Sequence, residues 1–379
     1  MPMARKNIER NIAYDDIREK YYVTLDHGRN ECNKRIKQTQ TFYTLKEARK
    51  CLREFEYEKD RGNIVAPARE TVESYVKYWI DDVKGISCRP TTLYGYRNIA
   101  NKHMIPYLGQ VEIQKLTAQH INKYSAHLKR DKHLDNNSIK KHQDMLKSML
   151  RTAAAEKVIV YNFMQDMELF KYKYKEVEVY NSDQVKQLFK CLEDHPLELG
   201  VKLGVYLGLR RGEVSGLKWT YINFEEKSVY IKESRTQAGK EVYAGETKTQ
   251  SSKRKLELCD ELIDLLKKTK QEQEKNKALL GNEYFKSDYI ICKKNGELYK
   301  PNYLSNEFKK FLERNGLPHI KYHALRHTCA TIANEMGITL FDIASMLGHS
   351  SIAITSKIYT HQLDKTNSKA VVAVAKAFN

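Results

Sequence analysis

Gly208-Leu209-Arg210-Arg211-Gly212-Glu213 is the stretch from which the rest of the chain can be read. An apolar helical run from Leu197 to Leu207 leads directly into it and delivers a permanently charged guanidinium just past the helix end. Four further motifs follow in order. Lys248 stands in Thr247-Lys248-Thr249, and His323 with Arg326 in His-Ala-Leu-Arg-His. His349 stands in Leu347-Gly348-His349-Ser350-Ser351, and Tyr359 in Ile358-Tyr359-Thr360-His361. Two Arg, a Lys and two His make a cationic set suited to a phosphodiester, and the Tyr359 hydroxyl just beyond supplies a nucleophile.

A phosphodiester is cut without water or metal when three demands are met. A nucleophile attacks in line, charge growing on the non-bridging oxygens is neutralised, and the departing oxygen receives a proton. Guanidinium forks such as those of Arg210 and Arg326 bind phosphate oxygens bidentately and keep their proton. His323 and Arg326 are three apart, so on a helix they share a face. An ordinary imidazole pKa of about 6.5 would let His323 transfer protons near neutral pH. His327 points about a quarter-turn away and reads as structural. Gly348 reads as a helix cap that aims residue 349. Singly, each element is weak: His-x-x-Arg is commonly a helix-surface pair, Gly-His a buried structural histidine, and the chain has 25 tyrosines. The order of all five carries the reading.

That order resembles the tyrosine recombinases, in particular the integrases of conjugative transposons and temperate phages, over about 150 residues. The resemblance implies that Arg210 and Arg326 are the two catalytic arginines, Arg210 being preferred over Arg211 because the family's arginine directly follows Gly-Leu. Arg211 is then a backbone-phosphate or structural contact. It implies that His323 serves proton transfer and hydrogen bonding around the nucleophile, and that His349 bonds a non-bridging oxygen. Tyr359 is then the nucleophile and Lys248 the general acid for the 5′ oxygen. Lys253 and Lys255 lie close by, but the family writes Thr-Lys-Thr-x-x-Ser before the next strand.

The implied function is a site-specific recombinase that integrates or excises a mobile element through a 3′-phosphotyrosine intermediate, with no cofactor and no metal. The implied partners are double-stranded DNA at core and arm attachment sites and three further copies in a homo-tetramer. An excisionase and a DNA-bending accessory protein are further candidates. A type IB topoisomerase-like enzyme and a catalytically silent site-specific DNA-binding protein are the rival readings. The arm-like N-terminal module and the Leu-Gly-His-Ser-Ser to Tyr segment favour the recombinase.

Composition agrees with such partners. A net charge of +18 over 379 residues implies an anionic partner, most simply nucleic acid. Seven widely scattered cysteines (32, 51, 88, 191, 259, 292, 329) with no C-x-x-C pair fit reduced thiols and argue against structural zinc or a disulfide framework. There is no P-loop, no His-Glu-x-x-His and no run of 18 apolar residues. The expected location is the bacterial cytoplasm, nucleoid-associated on DNA, with no membrane partner.

The expected fold is multidomain, mainly α with small β-sheets (α+β), in three parts. Residues 1–63 read as a ββα arm-binding module. It has strands Lys20–Asp26 and Lys34–Tyr43, a capping box at Thr44-Leu-Lys-Glu, and Lys34, Arg35 and Lys37 as DNA contacts. Residues 66–170 resemble the helical, SAM-like core-binding domain. There Val72, Tyr75, Val76 and Trp79 share one face, and Ile139, Met145, Leu146 and Leu150 point inward. Lys140, Lys141 and Lys147 point outward as DNA contacts.

Residues 179–379 read as the mixed catalytic domain. Its first helix is capped at Ser182-Asp183-Gln184, and one small sheet is built from Ser228–Ile231, Glu241–Ala244 and Lys253–Leu258. A further strand, Asp288–Cys292, enters an Asn295-Gly296 hairpin. In the tail, Val371, Val374 and Phe378 share a helical face that docks on its own domain or, as the resemblance implies, on a neighbouring protomer.

Overall fold

The computed structural model describes residues 5–29, 33–173, 177–246 and 253–348. Lys248, His349, Tyr359 and the tail carrying Val371, Val374 and Phe378 lie outside the described residues. The chain divides into two compact units, Met1–Tyr174 and Lys175–Asn379. The whole is mainly helical with small antiparallel sheets, as expected.

The first unit opens with four antiparallel strands in sequential order, twice the expected number: β1 (Lys6–Glu9), β2 (Ile12–Asp15), β3 (Lys20–Arg29) and β4 (Arg35–Phe42). Four-residue strands are too short to display an alternation, and β1 is exposed throughout. A tight turn joins the two, with Asn11 at φ 68°, a conformation asparagine tolerates. On β4 the expected alternation is present. Arg35, Lys37, Thr39 and Thr41 are exposed, whereas Ile36, Gln38, Gln40 and Phe42 are half-buried. Helix α1 (Leu45–Asp60) covers the sheet through Ala48, Leu52 and Phe55 against Ile12, Val23 and Leu25. Thr44 caps it, accepting from the Glu47 N–H at 3.3 Å. The Glu47 carboxylate accepts a hydrogen bond from the Thr44 hydroxyl at 2.9 Å instead of from the expected backbone N–H.

The helical part begins with α2 (Val72–Tyr78), capped by Thr71 and prolonged by a π-helical turn over Trp79–Val83. Then come α3 (Pro90–Ile99), α4 (Ile105–Leu108), α5 (Ala118–Arg130) and α6 (Asn136–Ala155). Val72, Tyr75, Val76 and Trp79 are completely enclosed, and the Trp79 indole donates to Thr152 Oγ1 at 3.0 Å. Ile139, Met145, Leu146 and Leu150 are buried on α6. Of the lysines expected to face outward, Lys141 is exposed and Lys147 half-buried. Lys140 differs: its side chain is only 18% exposed, because it pairs with Asp144 one turn on and lies over the Tyr172 ring.

Two histidines are enclosed in this part. His142 Nδ1 is 2.8 Å from the Tyr124 hydroxyl, and the His103 ring stands 5.1 Å away with its buried Nδ1 lacking a partner among the described residues. Burial, then the nearby His103, holds the His142 pKa down to about 4. Burial followed by Lys132, Lys102 and His127 lowers that of His103. Between about pH 6.5 and about pH 4 the unfolded chain therefore binds more protons than the folded one, so stability falls as pH falls through that window. Thermal unfolding at about pH 7.5 and about pH 5 should show a smaller loss for His142→Gln than for the wild type. An equal loss in both would mean that His142 is already charged in the fold.

The second unit starts with α7 (Ser182–Cys191), capped one residue earlier than expected. Asn181 and Gln184 exchange side-chain-to-backbone hydrogen bonds at 2.9 and 3.0 Å. Helices α8 (Glu198–Tyr206) and α9 (Arg211–Ser215) follow, then β5 (Ile222–Asn223), β6 (Ser228–Ile231), β7 (Glu233–Ala238), β8 (Glu241–Glu246) and β9 (Arg254–Glu257). The single expected sheet is two. β6 lies between β5 and β9, while the strand near Glu241 pairs with β7 in a separate hairpin. Glu-Ser-Arg-Thr-Gln-Ala has no apolar alternation, so β7 is not visible in the sequence.

The expected strand Asp288–Cys292 is reduced to bridges at Tyr289 and Cys292. Its backbone is already occupied: Ile290 N–H donates to Leu217 O at 3.0 Å, and Ile290 O accepts from the Gln273 amide at 2.7 Å. Helices α10 (Asp260–Leu280), α11 (Pro301–Arg314), α12 (Ala324–Glu335) and α13 (Leu340–Leu347) follow among the described residues. Their core gathers Leu203, Val214, Leu262, Phe308, Leu312 and Leu325. No helix among the described residues is long and apolar enough to cross a membrane.

Candidate active site

The site is built where α8 ends. Gly208 turns the chain at φ 59°, a left-handed conformation that favours glycine, and a Cβ there would lie 2.3 Å from Leu347 Cδ2 and push that side chain aside. The turn makes Arg210 the residue that caps α9. Its backbone N–H donates to Glu213 Oε2 at 3.0 Å and its Nη1 to Glu213 Oε1 at 2.8 Å. Its side chain remains 35% exposed.

Arg326, on the first turn of α12, is 2% exposed. It donates from Nη1 to Gly208 O and from Nη2 to Leu347 O, both at 2.7 Å. Burial, then the neighbouring Arg210 charge, lowers its pKa to about 9, which leaves the guanidinium charged at neutral pH.

Two residues that the sequence did not single out complete the cluster. Arg254, at the start of β9, is buried and pairs with Glu213 Oε2 at 3.0 Å, while its Nε donates to Met346 O at 2.6 Å. Burial alone would raise the Glu213 pKa. Arg254 and then Arg210 outweigh it and hold the carboxyl ionised. Three consecutive carbonyls at the end of α13 are thus taken by three arginines: Met346 O by Arg254, Leu347 O by Arg326, and Gly348 O by Arg210 at 3.4 Å. Negative dipole density at a helix C-terminus favours such cations. Gly348 adopts the left-handed cap expected of it, at φ 67°.

His323 caps α12 rather than lying within it, and its ring meets that of His327 edge-on at 5.2 Å. Burial of the ring, then the charges of His327, Arg326, Arg210 and Arg211, holds its pKa down to about 4, although the residue as a whole is exposed. The ordinary value near 6.5 expected from sequence is therefore corrected. The imidazole is neutral at physiological pH and able to accept a proton, and an anionic phosphate among the arginines would push its pKa back up.

Arg211 is half-buried and donates to Ser305 Oγ on α11 at 3.0 Å. The described site thus brings together Arg210, His323 and Arg326. In the first unit, Lys34, Arg35 and Lys37 lie exposed at the start of β4, with Arg35 3.6 Å from Asp26.

Known proteins resemble this chain in sequence and in fold. The phage integrase family matches residues 178–366, and the N-terminal SAM-like domain of phage integrases matches residues 71–129. A XerC-like tyrosine recombinase of Caldanaerobacter subterraneus is 29% identical, with 95% of this chain and 97% of the relative covered. The ICEBs1 integrase of Bacillus subtilis is 25% identical, with 73% and 75% covered. The fold is similar to that of the Tn1549 transposon integrase, solved in complex with circular intermediate DNA. The TM-score is 0.66 at 18% identity, with 76% of this chain and 95% of that one covered. A lambda integrase dimer bound to a core site superposes with a TM-score of 0.56 at 20% identity, over 76% of this chain and 95% of that one. The chain belongs to the phage integrase family, the tyrosine recombinases, enzymes that break and rejoin DNA strands.

Proposed function

We propose that this chain is an integrase that integrates or excises a mobile element, cutting each strand through a 3′-phosphotyrosine. The observation that carries the reading is the convergence of Arg210 and Arg326 on the end of α13, one residue before His349 and beside a neutral His323. Arg210 and Arg326 neutralise the scissile phosphate, His323 accepts a proton near the nucleophile, and His349 bonds a non-bridging oxygen. Tyr359 attacks phosphorus, forming the Tyr Oη–P bond as the P–O5′ bond breaks, and Lys248 protonates the departing 5′ oxygen. Attack by a 5′-hydroxyl reverses the step, so no external energy source is needed.

In this reading residues 1–63 bind arm sites, residues 66–170 form half of a clamp on the core site, and residues 179–379 cut. Four copies act on two duplexes, in the bacterial cytoplasm, with an excisionase and a DNA-bending protein as helpers. Lys141 and Lys147 contact the backbone of the core site. Arg211 braces α9 against α11 as well as lying near the phosphate path.

The test is covalent trapping. A core site selected from a random-sequence duplex pool is nicked so that the short strand beyond the cut diffuses away. The full chain should then accumulate a 3′-linked adduct whose protease-released peptide contains Tyr359. Tight binding without any adduct would point instead to a silent DNA-binding protein, and relaxation of supercoils without site preference to a topoisomerase. A second expectation concerns β4. Arg35→Glu with Lys37→Glu should abolish arm-site binding by the full chain and leave core cleavage intact, because phosphate contacts are charge contacts. Unchanged arm binding would remove β4 from the interface.

A further inference from the structure

We propose that Arg254 is a positioning residue for strand cleavage: it sets Arg210 by sharing Glu213 with it. The inference rests on the proposed reading of the site. Arg254 opens β9, opposite Ile231 of β6, so its backbone is fixed in the three-stranded sheet. It directly follows Lys253, a few residues after Lys248 in sequence.

Among the described residues its guanidinium donates to Met346 O at 2.6 Å, Glu213 Oε2 at 3.0 Å and Glu213 Oε1 at 3.4 Å, on two other elements. Glu213 has one negative charge to divide between Arg254 and Arg210. With Arg254 in place, the carboxylate is largely compensated, and Arg210 keeps charge for a phosphate. Without it, the whole Glu213 charge would fall on Arg210, which already donates to Glu213 Oε1 at 2.8 Å, and less of the guanidinium charge would remain for a phosphate. A lysine cannot replace this arrangement, because a single ammonium lacks the fork that spans both Glu213 oxygens and Met346 O.

The experiment uses the full chain on the nicked duplex carrying the selected core site. Single-turnover cleavage, duplex affinity and thermal unfolding are measured for the wild type, Arg254→Lys, Arg254→Gln, Arg210→Ala and the Arg210→Ala/Arg254→Lys double variant. Arg254→Lys should bind the duplex like the wild type yet cleave about 10²-fold more slowly, the penalty of a displaced catalytic group. The double variant should be no slower than Arg210→Ala, since Arg254 acts through Arg210.

On a duplex with a methylphosphonate at the scissile position, where the phosphate charge is removed, Arg254→Lys should approach the wild-type rate. Arg254→Gln, planar but uncharged, is the second variant and should be slower still. Wild-type cleavage by Arg254→Lys, or penalties that multiply in the double variant, would overturn the proposal. So would a loss of affinity and melting temperature that accounts for the whole rate defect. If Arg210→Ala itself cleaves normally, the reading of the site falls too. If it is slow while Arg254→Lys is not, only this inference falls.

Discussion

Tyr359→Phe should lose covalent attachment to DNA down to the limit of detection while binding duplex as before. The substitution keeps the ring and removes one oxygen, so anything contributed by packing survives and only the atom that would bond phosphorus is gone. Among the described tyrosines, the one nearest in sequence to the His323 motif is unable to substitute. The Tyr322 hydroxyl donates to Gly200 O at 2.5 Å, and burial pushes its pKa up. The measurement is denaturing electrophoresis of wild type and variant on the trapping duplex. A persistent adduct in the variant would move the nucleophile to another residue.

Arg326→Ala should be the most damaging change among the described residues, for two separable reasons. First, it removes a guanidinium placed for developing phosphate charge, which should slow cleavage by about 10²- to 10³-fold. Second, it strands two enclosed carbonyls, Gly208 O and Leu347 O, each of which then costs about 1–3 kcal/mol. Among the described residues, two of the five Arg326 N–H donors are engaged, by Gly208 O and Leu347 O. Single-turnover trapping and thermal unfolding, read together, separate the effects. A melting temperature that drops while cleavage stays within about tenfold of wild type would make Arg326 a brace for α13 and nothing more.

Local chemistry was legible in the sequence and long-range pairing was not. Thr44 and the Gly348 cap act within one helical turn, so their motifs announce them. The Val72–Trp79 face and the α6 core face follow from a 3.6-residue period. β7 was missed because its partner β8, rather than its own side chains, makes it a strand. Asp288–Cys292 has the residues of a strand but donates its backbone elsewhere. Arg254 is hidden among Lys253 and Lys255, and its value lies in a carboxylate 41 positions away. The low pKa of His323 arises from burial first and then from charges on α9 and α12, and only folding assembles both around it.

The row of carbonyls that closes α13 has an energetic meaning. Gathering Arg210, Arg254 and Arg326 in one place is opposed by mutual repulsion, and a bare cluster of that kind would splay apart and close only around its ligand. Here a helix terminus and one carboxylate act as counterions during folding. The electrostatic work of assembly is thus done before any DNA arrives, and an incoming phosphate exchanges weak dipolar partners for a full charge with little reorganisation. Preorganisation of this kind suits a reaction whose two directions must run over one barrier of nearly equal height.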